Sequence, residues 1–263
     1  MTGEYFDYYG RNIGFFTLEE QEILKNSTIS ILGEGGVGGG QHVALARMGI
    51  CNYSEADPKT FDAPDSNRQY GAKYSTMGLN KARVMEKEIR DINPFSKIKV
   101  FDAEDFSIDE LLEGADIAID AVDYFAFDKK MEFFKKAREK NIYTLSCPIP
   151  GASAVLLVFS PNGMTAEEYF RAPKNEDEWK NYTIPIDRLT PERIDYIPND
   201  IFSAILRRER SFPTISSTAF ISAGLLSFET AMILTKKREP IVVPDVQVIN
   251  LYVPVVINCW SNF

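Results

Sequence analysis

The stretch "ISILGEGGVGGGQHVALARMGI", residues 29–50, decides the fold. An apolar, β-branched run from Ile29 to Leu32 enters a loop with glycine at 33, 35, 36, 38, 39 and 40, and a helix-forming run then stops at Gly49. Gly33, Gly35 and Gly38 satisfy G-x-G-x-x-G directly after a strand, and Asp57 closes the next strand-like run, "CNYSEAD" (51–57). Glycines there let backbone amides approach a phosphate, the helix start adds its positive dipole end, and the carboxylate suits ribose hydroxyls. The combination points to a nucleotide and leaves the reaction open.

Outward from this stretch, strand and helix signals alternate. "LEEQEILKN" (18–26) reads as a helix, and "LNKARVMEKEIRDINP" (79–94) carries helical spacing at Ala82, Met85 and Ile89 with Pro94 just beyond. "KIKVFDA" (97–103), "DIAIDAVD" (116–123) and "IYTLSCP" (142–148) read as strands, with "DELLEGA" (109–115) and "DKKMEFFKKAREKN" (128–141) as the helices between them. This alternation predicts an α/β fold, a doubly wound, Rossmann-like and mostly parallel sheet with right-handed crossovers. From about residue 161 the rhythm gives way to a charged segment rich in proline and aromatic residues. "AFISAGLLSFETAMILTKK" (219–237) restores an apolar helix, and "VQVINLY" (246–252) and "PVVIN" (254–258) predict antiparallel closing strands. The expected organisation is a nucleotide-binding part over 1–160, a crossover segment over 161–212, and a closing helix and strands of the same domain over 213–263.

With 263 residues, 44% of them hydrophobic, the chain can bury a sizeable core. Its net charge of −9, with no dense basic run, argues against nucleic acid as a partner. Cys51, Cys147 and Cys259 are odd in number and far apart, which excludes a complete disulfide framework or a CxxC zinc ribbon and fits a reducing cytoplasm. "MTGEYFDYYGRN" (1–12) has no apolar leader, and the most apolar later stretch, 218–234, is interrupted by Glu229 and serines. The expectation is therefore neither export nor a membrane span.

Two cations separate ATP from a dinucleotide. Arg68 in "FDAPDSNRQYGA" (61–72) and Lys81 in "GLNKARV" (78–84) suit a triphosphate and its departing pyrophosphate. Asp123 ends the fourth strand, where an open α/β sheet binds its ligand, and suits a magnesium ion bridging phosphates. ATP and Mg2+ are the expected cofactors. His42 reads as a packing or helix-surface residue rather than a catalyst, and Cys147 as a buried cysteine.

These residues together resemble the superfamily of ThiF, MoeB and the ubiquitin-activating enzymes. The resemblance runs through "YYGRNIGFFTLEEQEILKNS" (8–27), "GEGGVG" (33–38), "ALARMGI" (44–50), Asp57, "NRQ" (67–69), "GLNKA" (78–82), "INP" (92–94) and "GADIAIDAVD" (114–123). It implies adenylation of a carboxylate, usually the C-terminal glycine of a small ubiquitin-like or sulfur-carrier protein, with release of pyrophosphate. It also implies that Gly33, Gly35, Gly36 and Gly38 form the phosphate loop, that Asp57 binds the ribose, and that Asn67 and Gln69 flank Arg68 in the nucleotide site. Arg68 and Lys81 would clamp the phosphates, and Asp123 would hold magnesium. Arg11 matches an arginine that reaches into a partner subunit's ATP site, which implies a homodimer.

The chain departs from the family pattern in several places. Residues 161–212 hold no cysteine for a thioester, and the paired CxxC zinc site is missing. Glu34 replaces a small or apolar residue, Asp65 an asparagine, and Lys59 a second acid. The two added carboxylates are expected to weaken nucleotide binding unless they face solvent, pair with Lys59 or Lys73, or help hold metal. Tyr169, Phe170, Trp179 and Tyr182 either line an acceptor groove or pin the crossover to the body. Rival readings are adenylation of a small-molecule carboxylic acid or modified peptide, a non-catalytic scaffold of the same fold, and a dehydrogenase, which leaves Arg11, "NRQ" and Lys81 without purpose.

Overall fold

β-branched and apolar runs build the sheet from its centre. In the computed structural model, which describes residues 4–191 and 196–253, β1 (Thr28–Leu32) lies between β2 (Asn52–Ala56) and β4 (Ile117–Asp120), both parallel to it. β3 (Lys97–Phe101) adds outside β2 and β5 (Tyr143–Ser146) outside β4, again parallel. β6 (Ser153–Phe159) and β7 (Gln247–Asn250) then pair antiparallel, giving the order β3-β2-β1-β4-β5-β6-β7. The doubly wound architecture expected from the alternating pattern is the one that folds, and of the closing runs 246–252 supplies β7, antiparallel to β6, a strand that the pattern did not reveal. The run 254–258 and Cys259 lie outside the described residues.

Local chemistry sets the helices. α1 (Glu4–Tyr9) precedes α2 (Leu18–Asn26), whose start is fixed by a capping box: Thr17 accepts from the Glu20 amide and Glu20 from the Thr17 amide. α3 (Gly38–Arg47) follows the glycine loop, and α4 (Lys81–Ile92) starts where Asn80 accepts from the Arg83 amide at 3.0 Å. α5 (Ile108–Leu111) and α6 (Phe127–Glu139) cover the opposite face of the sheet, where Leu32, Ala56, Ala118, Phe133 and Ala137 pack together. The main core joins Ile29, Ile31, Leu45, Ile119, Leu145, Leu156 and Leu226, burying α3 and α9 (Ser216–Thr235) against the sheet.

β6 has no alternation because all seven of its residues are buried. Its outer neighbours come from the crossover: α7 (Ala166–Phe170) and a turn around Trp179 pack Tyr169, Phe170, Trp179 and Ile184 onto Phe127, Phe134 and Phe159. Those aromatics pin the segment to the body, and of the four named in the sequence only Phe170 also lines the cavity described below. α8 (Asn199–Leu206) completes the excursion. α9 is long and apolar enough by length and composition to cross a membrane, yet it packs on α3, α2 and β6. It also buries Glu229, which pairs with Arg238 and accepts from Gln247 at 3.2 Å.

Candidate functional site

The chain runs outward from β1 to β3 and then returns to β4 on the other side of β1, opening a crevice beyond the carboxyl ends of β1 and β4. There Gly33 takes φ +101°, and a Cβ on it would lie 2.7 Å from the Ala121 carbonyl oxygen. A Cβ on Gly38 would lie 1.9 Å from the Gly33 carbonyl oxygen. The loop thus folds back on itself past the end of β4 with no room for a side chain at Gly33 or Gly38. α3 starts at Gly38 without a side-chain cap, leaving its first amides as an uncommitted positive end next to the cavity-lining residues Gly35, Gly36 and Val37.

The cavity has a volume of about 530 Å³. Its lining brings together polar residues, Gly33, Asp57, Lys59, Arg68, Gln69, Lys81 and Asp123 among them, and the apolar side chains of Leu157, Phe170, Ile184, Leu189 and Phe212, which pack with one another in a single cluster. A polar head beside an apolar annex suits two bound reactants better than one compact ligand.

Each expected site residue has a definite place. Asp57 is buried, and its two oxygens accept from the Glu34 amide and the Lys59 amide, both at 2.9 Å; burial raises its pKa, and the two amides oppose that. Lys81 is buried, donates to Gln69 Oε1 at 3.0 Å and lies 3.0 Å from Asp65 Oδ2. Arg68 lines the cavity, held by Asn67 Oδ1 at 2.8 Å and the Pro64 carbonyl at 3.3 Å. Asp123, expected to end the fourth strand, lies in the loop beyond β4, which stops at Asp120; it is exposed in the lining and accepts from the Phe125 amide at 3.1 Å. Gly38 and Asn67 stand outside the lining: Gly38 packs on Gly33, and Asn67 donates to the Thr214 carbonyl at 3.0 Å, tying the Arg68 segment to the entrance of α9. Arg11 is exposed on the turn Gly10–Asn12 and does not line this chain's cavity.

Glu34 takes neither the solvent-facing nor the lysine-paired place considered for it. Its side chain is fully buried and outside the cavity lining; it turns inward, where His42 Nδ1 lies 2.9 Å from Glu34 Oε1 and 3.0 Å from Glu55 Oε2. It therefore adds no charge against a phosphate and pairs with neither Lys59 nor Lys73. His42 does pack inside, as expected, but as a partner of two carboxylates. Asp65 sits among Lys81, Gln69 and Arg68 rather than on Lys59 or Lys73, so it competes for the cation that a triphosphate would take. Cys51 and Cys147 are buried, and burial pushes the Cys147 thiol up to about 12.

Sequence reasoning passed over a second polar group in the cavity. Asp120, buried at the end of β4, pairs with Lys130 of α6 and accepts from Ser146 Oγ at 2.7 Å, and all three line the cavity. Asp120 was visible as the first acid of "DAVD" (120–123), but nothing local to it names Lys130 or Ser146 as partners.

Among curated proteins, the chain is 35% identical over 141 residues to the tRNA threonylcarbamoyladenosine dehydratase of Bacillus subtilis, covering 52% of this chain and 55% of that protein. It is 36% identical over 110 residues to a probable molybdopterin-synthase adenylyltransferase of Porphyra purpurea, covering 41% of this chain and 29% of the relative. The chain thus spans about half the length of the first relative and less than a third of the second. Among solved structures, PaaA superposes with a TM-score of 0.68 at 19% identity, over 95% of this chain and 72% of PaaA. Escherichia coli MccB with ATP superposes with a TM-score of 0.64 at 19% identity, over 88% and 66% of the two chains. Both share its fold. With the glycine loop, Asp57, Lys81 and Asp123 gathered at one crevice, and the ThiF family matching residues 9–254, the chain belongs to the ThiF family.

Proposed function

We propose that this chain is an ATP-dependent adenylyltransferase that activates a carboxylate, and that the C-terminus of a small carrier protein or peptide is its acceptor. The observation that carries the proposal is the joint lining of one cavity by the glycine loop, Asp57, Arg68, Lys81 and Asp123 beside an apolar annex. In this reading Asp57 holds the ribose, and Arg68 and Lys81 neutralise the phosphates. The annex takes the acceptor. The acceptor carboxylate oxygen attacks the α-phosphorus, the bond from that phosphorus to the pyrophosphate oxygen breaks, and pyrophosphate leaves with its electron pair. Because the nucleophile is already an anion, no general base is needed; orientation and charge neutralisation carry the rate.

Asp123, whose carboxylate lines the same cavity as the glycine loop, would hold magnesium as a hard oxygen donor, with phosphates and water as the remaining ligands. Bound there, it would neutralise phosphate charge. The proposed role of Arg11 is in the cavity of a second copy, its exposed position leaving it available; sedimentation at rising concentration tests the dimer.

Thermal unfolding with and without Mg-ATP tests the nucleotide. At a hundredfold its Kd, ATP adds about 2.7 kcal/mol and should raise the midpoint by about 5–10 °C, an increase lost in Asp57→Ala. A shift with NAD alone would overturn the proposal, and no shift with any nucleotide would favour the scaffold. Acceptors are then screened by carboxylate-dependent pyrophosphate exchange. A second expected result concerns Asp65: Asp65→Asn frees Lys81 from its competing carboxylate and should tighten Mg-ATP binding by about three- to tenfold in calorimetric titration. Weaker binding would mean that Asp65 supports the site by holding Lys81 in place.

A further inference from the structure

Beneath the glycine loop lies a trio of ionisable side chains for which adenylation has no direct use. Glu34 comes from the loop, His42 from α3 and Glu55 from β2, and each is fully buried. His42 Nδ1 bonds Glu34 Oε1 at 2.9 Å, with Glu55 Oε2 off the donor axis at 3.0 Å. Among the described residues, Glu34 Oε2, both Glu55 oxygens and His42 Nε2 have no hydrogen-bond partner, so no group outside the trio offsets its charge. Glu34 is tied in a second direction as well: its backbone N–H donates to Asp57 Oδ2 at 2.9 Å. One residue thus joins the trio through its side chain to the expected ribose carboxylate through its main chain.

We infer that His42, with Glu55, is a positioning residue for the nucleotide loop, holding the Glu34 carboxylate inward so that the Glu34 amide stays on Asp57. The inference rests on the ATP-binding reading above. Two buried carboxylates this close cannot both ionise beside a neutral imidazole without a large penalty, so protons must supply the balance. Burial disfavours the imidazolium, but Glu34 and Glu55 outweigh it and hold His42 protonated up to about 9. Burial, and then the charge of Glu34, push Glu55 up to about 8 against the pull of His42. Both shifts are upward, so the folded chain binds more protons than the unfolded one. The stabilisation from His42 is complete below its ordinary value of 6.5 and is lost as pH rises through about 9; that from the Glu55 proton is lost on the way to about 8. Above that window an ionised Glu55 faces Glu34 with a neutral His42 between them, and the trio no longer holds the Glu34 side chain inward.

Burial acts upward on the titratable groups packed around the trio as well. Tyr53 of β2 stacks 4.3 Å from the His42 ring and is pushed far upward by burial, as are Tyr5 and Tyr9, and burial also raises Cys51. Asp57 is a raised carboxylate on the Glu34 amide; from α4, Lys81 bears on Asp57, and the acid of α9, Glu229, is paired with Arg238.

The test is calorimetric titration of the full chain with saturating Mg2+ and ATP from about pH 7 to about pH 9.5, where the Mg2+-bound triphosphate stays ionised. Wild type should weaken by about tenfold or more across the window, and His42→Asn should already bind about tenfold more weakly at pH 7. Glu34→Gln keeps the size and removes the charge, so its Kd should no longer change with pH; it decides the matter even if His42→Asn fails to fold. Wild-type binding that is tight at pH 7 and flat to pH 9.5, or a Glu34→Gln slope equal to wild type, would overturn the inference while leaving the ATP reading intact. No ATP binding at pH 7 would instead sink the ATP reading. Stoichiometric metal in the purified chain, lost in Glu34→Gln, would also overturn it, because the trio would then be a metal site.

Discussion

Lys81→Ala is expected to lower carboxylate-dependent pyrophosphate exchange by about a hundred- to a thousandfold, the size seen when one preorganised charge or donor is removed from a water-excluded site. Lys81 is nearly buried at 7% exposure and already oriented by Gln69 and Asp65, so it needs little rearrangement to meet a phosphate. Removing it also takes the ion-pair partner of Asp65, leaving that carboxylate with Gln69, the Asp62 amide and Arg68 at 3.9 Å, and some stability should be lost for that reason alone. The double variant Lys81→Ala/Asp65→Asn separates the two effects: the thermal midpoint should recover and the exchange rate should not. Recovery of both would mean that Lys81 serves Asp65 rather than the phosphates, and full exchange in Lys81→Ala would remove it from the mechanism.

The second large effect is steric. Gly38→Ala would force a Cβ to within 1.9 Å of the Gly33 carbonyl oxygen and 3.0 Å of the Ala121 Cβ, both within the loop's tightest fold. Backbone cannot yield as a flexible side chain does, so β1 and α3 must separate. We expect a loss of roughly 3 kcal/mol or more, with ATP-induced stabilisation abolished. Gly224→Ala is the control: Gly224 is exposed within α9, a Cβ there meets nothing within 4 Å, and alanine should stabilise the helix by about 0.5–1 kcal/mol. Chemical denaturation of the two variants side by side reads both signs. A Gly38→Ala chain that unfolds like wild type would mean that the loop has slack the close approach denies.

Much of this was legible because it is local. The strand, glycine loop and helix at 29–50 carry their own signals in adjacent residues, so β1, the turn and α3 were readable without any partner. The same holds for the alternation that orders β2 to β5, where crossovers of one hand leave few topologies to choose from. Asp57 and Asp123 were readable because ligands bind at strand ends in such sheets. β6 was not, since a strand buried on both faces has no period to detect. Nor was the fate of the crossover aromatics, which hydrophobicity alone cannot assign to a groove or to a core.

Charge placement marks the limit of sequence reading. Glu34 and Asp65 stood in the sequence as two comparable carboxylates near the phosphates, and the fold separates them: one faces His42 in the interior, the other faces Lys81 beside the cavity. The direction of a loop side chain depends on which residues distant in sequence come within 3 Å of it, and Glu55 and His42 reach Glu34 only because β2 and α3 flank β1. The sequence by itself determined the family, the doubly wound order and the glycine loop, since these rest on short-range spacing and handedness. Only the tertiary structure decided which ionisable groups meet the cavity and which neutralise one another beneath it, because electrostatic partnership is set by distance and burial, and neither is a local property of the chain.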